Sequence, residues 1–222
     1  MALSAAARFP KRGYGSAEQD VRASVRSLLR NATAAGHERM HEHPGFHAAA
    51  SGVISAADYR RLLARLLGFH RPFEGLIRGA RERHGVDLDL DVRARSPSLV
   101  LDLATLGLSR PAIDGLPNWS PSLDLASEGA LLGSLYVLEG STLGGLQIAQ
   151  ALKVRFGGSD GDGRRFFLGR GESHKVLWGG FLSRLEKLAG DDRLCDAAIA
   201  ASVATFGAFE QWMEGWAAEP DA

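Results

Sequence analysis

The sequence predicts an all-α, single-domain protein, and three observations carry that expectation. Apolar residues recur at three- and four-residue spacing through most of the 222 residues. No stretch alternates apolar and polar residues over the length of a strand. Cap and stop signals divide the periodic segments with short connectors, the pattern of helices packed around one core.

The first helix opens at Ser16, where S-x-x-Q with Gln19 makes a capping box, and Val21, Val25, Leu28, Leu29 and Ala32 follow at helical spacing. It should stop at Pro44-Gly45. The second starts at Ser55 (S-x-x-D with Asp58) and carries Tyr59, Leu62, Leu63, Leu66, Leu67 and Phe69. It kinks near Pro72 and continues to about His84. In "SPSLVLDLATLG" a serine takes the cap and a proline the first helical position, so a third helix follows Ser96. The proline-rich connector "RPAIDGLPNWSPSLD" leads to a long helix over residues 127–156, and "GGSDGDG" is a loop. Two further helices span about 172–188 and 192–216. Residues 1–14 read as a loose tail and 15–217 as the domain.

Composition narrows the function. Lys+Arg and Asp+Glu both count 26, giving a formal charge of zero and a pI near 7.1. That balance offers neither the concentrated basic surface of a nucleic-acid binder nor an attraction to anionic membranes. The opening "MALSAAARFPKRGYGS" is too short in apolar residues for a signal-peptide core, and no run of about 18 apolar residues suggests a spanning helix. The single cysteine, Cys195, excludes an internal disulfide and fits a reducing compartment, so a cytoplasmic location is expected.

Two stretches carry chemistry. "GHERMHEHPGFH" contains H-E-x-x-H (His37, Glu38, His41) with His47 beyond it. As a zinc-protease signature it is weak. The longer form needs a glycine where Pro44 stands, and Arg39 sets a positive charge between the two would-be ligands. As half of a di-iron site it lacks a second E-x-x-H. The plain alternative is a solvated helix end, favoured by the helix dipole, and it suits His41, His43 and His47. His37 differs, lying four, eight and twelve residues after Thr33, Leu29 and Val25, hence on the stripe expected to face the core.

The second stretch is "LYVLEGSTLGGLQIAQAL", helical in pattern yet carrying Gly140, Gly144 and Gly145. Each interior glycine costs roughly 1 kcal/mol relative to alanine. A face without side chains admits either a close-packed neighbouring helix or another body pressed on the backbone, and these weigh equally. With His37 added, a flat macrocycle fits both features, ligated from one side and covered by bare backbone on the other. Heme iron commonly takes a proximal histidine. Arg30 lies seven residues before His37, about 10 Å along the helix, a distance that suits a heme propionate.

"LLRNATAAGHERM" resembles the proximal-helix motif of the heme oxygenases, in which a threonine, here Thr33, precedes the histidine by four. "YVLEGSTLGGLQIAQAL" resembles their kinked distal helix. "LLGFHRPFE" and "FGAFEQWM" resemble the second and final helices of the bacterial branch, which includes enzymes associated with bacterial phytochromes. The resemblance covers most of residues 20–216. It implies a fold with heme sandwiched between the proximal and distal helices, and His37 as the iron ligand. It further implies Gly140, Gly144 and Gly145 as the distal wall, and Ser141 where animal relatives carry an aspartate. Arg30, Thr33 and Tyr136 would serve the heme and its propionates, with Lys153 and Arg155 nearby. Phe206 belongs to a run with Phe209, Trp212 and Trp216 at core spacing and is a candidate heme contact.

The reaction implied is oxidative cleavage of heme, substrate and cofactor at once, to biliverdin, CO and ferrous iron. It uses O2 and electrons from a ferredoxin or reductase. A bacteriophytochrome is a candidate recipient of the biliverdin, and the arginines at 22, 26, 30 and 39 a candidate docking face for the electron donor. Two alternatives stay open: a heme-binding carrier or sensor without turnover, and a relative of thiamin-degrading enzymes, which would need Cys195 as nucleophile.

Overall fold

Helix α1 (Val25–Glu42) begins at Ser24, whose hydroxyl accepts from the amide of Ser27. A second cap comes from far along the chain: the Glu186 carboxylate accepts from the amides of Val25 and Arg26, both at 3.0 Å. The computed structural model describes residues 23–156 and 162–216. The Ser16 cap, the N-terminal tail and most of the "GGSDGDG" loop lie outside them.

Pro44-Gly45 ends one helix and starts another, because proline suits a first helical turn where its missing N–H costs nothing. Helix α2 (Pro44–Ala50) follows at once. Ser55 caps α3 (Ala56–His84) as its sequence predicts, accepting from the amide of Asp58, and α3 runs through Pro72 to a left-handed Gly85. At α4 (Ser96–Thr105) the cap is not Ser96, which is itself the first helical residue. Glu74 of α3 does the capping, accepting from the amides of Arg95 and Ser96 and from the Ser96 hydroxyl. A carboxylate supplied by a neighbouring helix leaves no local signature.

The proline-rich connector holds a short helix, α5 (Arg110–Asp114), before α6 (Glu128–Phe156), which Ser127 caps through the amide of Ala130. A four-residue helix, α7 (Arg165–Leu168), was not expected. The buried Asp102 carboxylate holds it by accepting from the amides of Arg165 and Phe166 at 2.9 and 2.8 Å. The segment expected as one helix over 172–188 divides into α8 (Ser173–Leu185) and a 3₁₀ turn, Glu186–Gly190. Helix α9 (Asp192–Met213) closes the described chain, and no strand occurs among the described residues. No helix among them is long and apolar enough to cross a membrane.

Two hydrophobic clusters hold these elements. One joins Leu62, Leu63 and Leu66 of α3 to Leu99 and Leu103 of α4 and to Phe167. The other joins Phe69, Phe73 and Ile77 to Leu131 and Leu135 of α6 and Phe181 of α8. Each such side chain, fully buried, contributes about 1.5–3 kcal/mol. Helix α9 is the post on which the functional helices lean. Along α1, Gly36 meets Phe206, Arg39 pairs with Glu210, and His43 reaches the carbonyl of Met213. Along α6, Gly129 abuts Leu194 and Gly133 abuts Ala198. Both helices therefore ascend α9 in the same direction, while sharing little direct contact with each other.

Candidate functional site: a cleft between α1 and α6

The buried stripe of α1 is Val25, Leu29, Thr33 and Gly36. His37 is not on it. Its side chain is 61% exposed. Steps of four residues turn a helix by about 400°, so three such steps from Val25 drift about 120° off the starting face. Arg26, Arg30 and His37 share the resulting flank of α1. The His37 ring meets His41 edge-on at 4.5 Å between centroids, and Nδ1 lies 4.0 Å from Glu38 Oε1. Partial burial lowers its pKa, with His41 adding to the effect and Glu38 opposing it. The imidazole is thus neutral near pH 7, the form that offers a lone pair to a metal. No cluster of three or more His, Cys, Asp or Glu side chains that could hold a metal ion by itself occurs among the described residues.

The other histidines divide. His41 and His47 are exposed, as a solvated helix end requires. His43 is not solvated. It is the C-cap of α1, its Nε2 lies 3.2 Å from the carbonyl of Met213, and its ring packs between Phe46 and Trp216. Burial lowers its pKa and the carbonyl opposes that. Thr33 is buried, and its hydroxyl donates to the carbonyl of Leu29 at 2.8 Å.

Across the cleft, α6 presents Tyr136, half-buried against Trp178 at 5.8 Å. Burial raises its pKa, and Arg26 and Arg30 act in the opposite sense, which places both guanidinium groups close enough to be felt at the phenol. This pairs Arg30 with Tyr136 and adds Arg26. It also fixes the cleft's register. Moving up from that cationic end, His37 comes about 10 Å along α1, and Gly140 and Gly144 come about 6 and 12 Å along α6.

The three glycines do different things. A Cβ on Gly144 would meet nothing within 4 Å, and one on Gly140 would only touch Trp178 at 3.9 Å. A Cβ on Gly145 would lie 2.6 Å from the carbonyl oxygen of Phe167, so Gly145 is where α7 packs on α6. The bare wall is therefore Gly140 and Gly144, and Gly145 lets the wall be buttressed from behind. Ser141 is exposed, and its hydroxyl donates to the Leu138 carbonyl at 2.7 Å, leaving it only acceptor capacity. Phe206, half-buried on α9, lies against Gly36, within 3.2 Å of where a Cβ would be. Lys153 and Arg155 are exposed near the far end of α6. Of the arginines read as a docking face, Arg39 is held by Glu210 through two hydrogen bonds, and Arg22 lies outside the described residues.

A charged group behind the wall escaped the sequence reading. Glu139 is fully buried, with its carboxylate 3.0 Å from Arg93 and 3.2 Å from Arg170. Arg95, also buried, donates to the Thr142 hydroxyl and the Phe166 carbonyl, and burial draws its pKa down to about 10. The α3–α4 and α7–α8 connectors are thereby tied to the flank of α6. A lone carboxylate in an apolar helical stretch was the available signal, but its partners stand 46 and 31 positions away and share no pattern with it.

A flat macrocycle with acidic substituents suits these features: an accessible imidazole on α1, open glycine backbone on α6, and two arginines whose charge reaches Tyr136. Solved structures share the fold. A heme oxygenase from Neisseria meningitidis, studied in NO- and CO-bound forms, superposes with a TM-score of 0.69 at 20% identity, covering 90% of this chain and 95% of that one. A heme oxygenase from Leptospira interrogans gives 0.66 at 17%, covering 86% and 98%. The heme complex of a heme oxygenase from the cyanobacterium Synechocystis gives 0.60 at 16%, covering 88% and 95%. No curated protein sequence matches the chain. The sequence matches the Heme oxygenase family over residues 23–215, which is nearly all of what the structure describes, and the chain belongs to that family.

Proposed function

We propose that the chain cleaves heme to biliverdin, CO and ferrous iron, using O2 and electrons from a ferredoxin or reductase. The observation that carries this reading is the open glycine face at Gly140 and Gly144 on a helix that ascends alongside exposed, neutral His37. The heme supplies the redox chemistry, and the chain's tasks are to bind it, orient it and control its surroundings.

His37 is the ligand, and Thr33, one turn before it, satisfies its buried hydroxyl on the carbonyl of Leu29. Arg30, Arg26 and Tyr136 hold the propionates and so set the macrocycle's rotation in the cleft. Gly140 and Gly144 let the distal helix approach the ring, restricting where a small molecule can lie. Phe206 packs beneath, on the α9 side. Ser141 cannot supply a carboxylate. It accepts a hydrogen bond from distal water while its own proton stays on Leu138. The biliverdin passes to a bacteriophytochrome or another acceptor after release.

The test is a hemin titration of the purified protein and of His37→Ala by optical spectroscopy, followed by reductant in air. One-to-one binding, a spectrum altered by the substitution, and conversion to a biliverdin absorption support the enzyme. Stable binding without bilin identifies a carrier or sensor. No binding overturns both readings.

A further inference from the structure

One buried side chain near the cleft has unspent hydrogen-bonding capacity. His174, in the first turn of α8, is 8% exposed, and neither ring nitrogen has a hydrogen-bond partner among the described residues. A neutral imidazole offers one donor and one acceptor. Groups of this kind are nearly always satisfied in folded proteins, by protein or by ordered water.

Its surroundings are specific. Glu139 of α6 acts on it electrostatically, as do Arg170 just before α8 and Arg95 before α4. The His174 ring stacks nearly parallel to Trp178, at 12° and 6.4 Å, and Trp178 is the side chain nearest to a Cβ on Gly140. The stack therefore joins the buried charges to the open face. The neighbouring polar groups are already engaged. Arg170 donates to Glu139 and to the Arg93 carbonyl, Arg95 donates to Thr142, and the Ser141 hydroxyl donates to Leu138.

We infer that His174 is a positioning residue for the distal side of the cleft, holding ordered water that links the buried Glu139 to the Gly140–Gly144 face. This rests on the heme reading above. In a family member whose distal position is Ser141, Glu139 is the carboxylate next to the wall, but it is sealed by arginines. His174 extends that polarity by one water-bridged step. As a neutral ring it can accept a hydrogen bond at one nitrogen while donating at the other, so the water it holds is oriented as well as placed. Burial keeps it in that form, against the pull of Glu139.

Two variants test this. His174→Phe keeps an aromatic ring on Trp178 and removes both nitrogens; His174→Gln keeps a donor and an acceptor. In the heme-free protein both variants should stay folded, each with a single cooperative melting transition. In the heme-loaded, reduced protein with CO added, His174→Phe should shift the C–O stretching band and abolish its D2O sensitivity. Heme affinity should stay within about twofold, and bilin formation should slow about tenfold or more. His174→Gln should restore the band. An unchanged band in His174→Phe, or a band that His174→Gln does not restore, overturns the assignment. Failure of the wild-type protein to take up heme overturns the assigned function instead, and this one with it.

Discussion

Helix α6 carries two pairs of glycines four residues apart, and the pairs serve opposite ends. At Gly129 and Gly133 a Cβ would collide with the carbonyl oxygens of Leu194 and Ala198, so α6 and α9 touch backbone to backbone there. At Gly140 and Gly144 a Cβ would meet an indole edge or nothing at all. Spacing alone does not separate the two cases. What separates them is the neighbour: α9 is pressed on the first pair, while α6 and α1 share little contact where the second pair lies. The first pair fixes the pivot and the second forms the open face beyond it.

The sharpest way to break the contrast is Gly133→Ala. The methyl faces a backbone carbonyl that cannot step aside, so the protein should lose about 3 kcal/mol, measured by urea unfolding. Gly145→Ala should cost about 2 kcal/mol for the same reason, with α7 displaced and heme affinity reduced as a consequence. An acid effect extends the comparison to histidines. His70 is buried in the core beside Phe69 and Phe166, and burial, aided by Arg95, lowers its pKa to about 3. The unfolded chain takes up that proton near pH 6.5 and the folded one does not. Stability should therefore be fully present above about pH 6.5 and decline towards pH 3, by up to about 1.4 kcal/mol per pH unit for this one proton. His70→Leu should flatten the slope. The smallest effect on stability belongs to Gly144→Ala. It should leave the fold unchanged or more stable by up to about 1 kcal/mol, yet weaken hemin binding in an optical titration. A Gly144→Ala protein that binds hemin as well as wild type would remove the open face from the proposed site.

The sequence was a good guide where structure depends on local chemistry and a poor one where it depends on distant partners. Ser55, Ser127 and the Pro44 break behave as their neighbours in sequence dictate. Ser96 does not, since Glu74, 22 positions away, takes over its cap. The same holds in the site. Arg30, on α1, acts electrostatically on Tyr136, on α6, 106 positions later. His37, the proposed ligand, lies on a flank that a count of fours places wrongly, because the helical repeat is 3.6 residues. Gly145 was grouped with Gly144 on adjacency, yet adjacent positions differ by about 100° and look onto different neighbours. His43 read as a solvated helix end, and only the carbonyl of Met213, 170 positions later, shows why it is half-buried. His174 and the Glu139 arginine group had no readable signature.

The cap on α1 has a consequence for how the molecule is made. Glu186 closes the helix's first turn, and Phe206, Glu210 and Met213 supply much of the surface it lies against. During synthesis α1 leaves the ribosome before those supports are translated. The histidine helix must wait as an unanchored segment for nearly the whole length of the described chain. On the proposed function, the α1 face that would receive heme is therefore completed only once α8 and α9 have been made and folded back onto it.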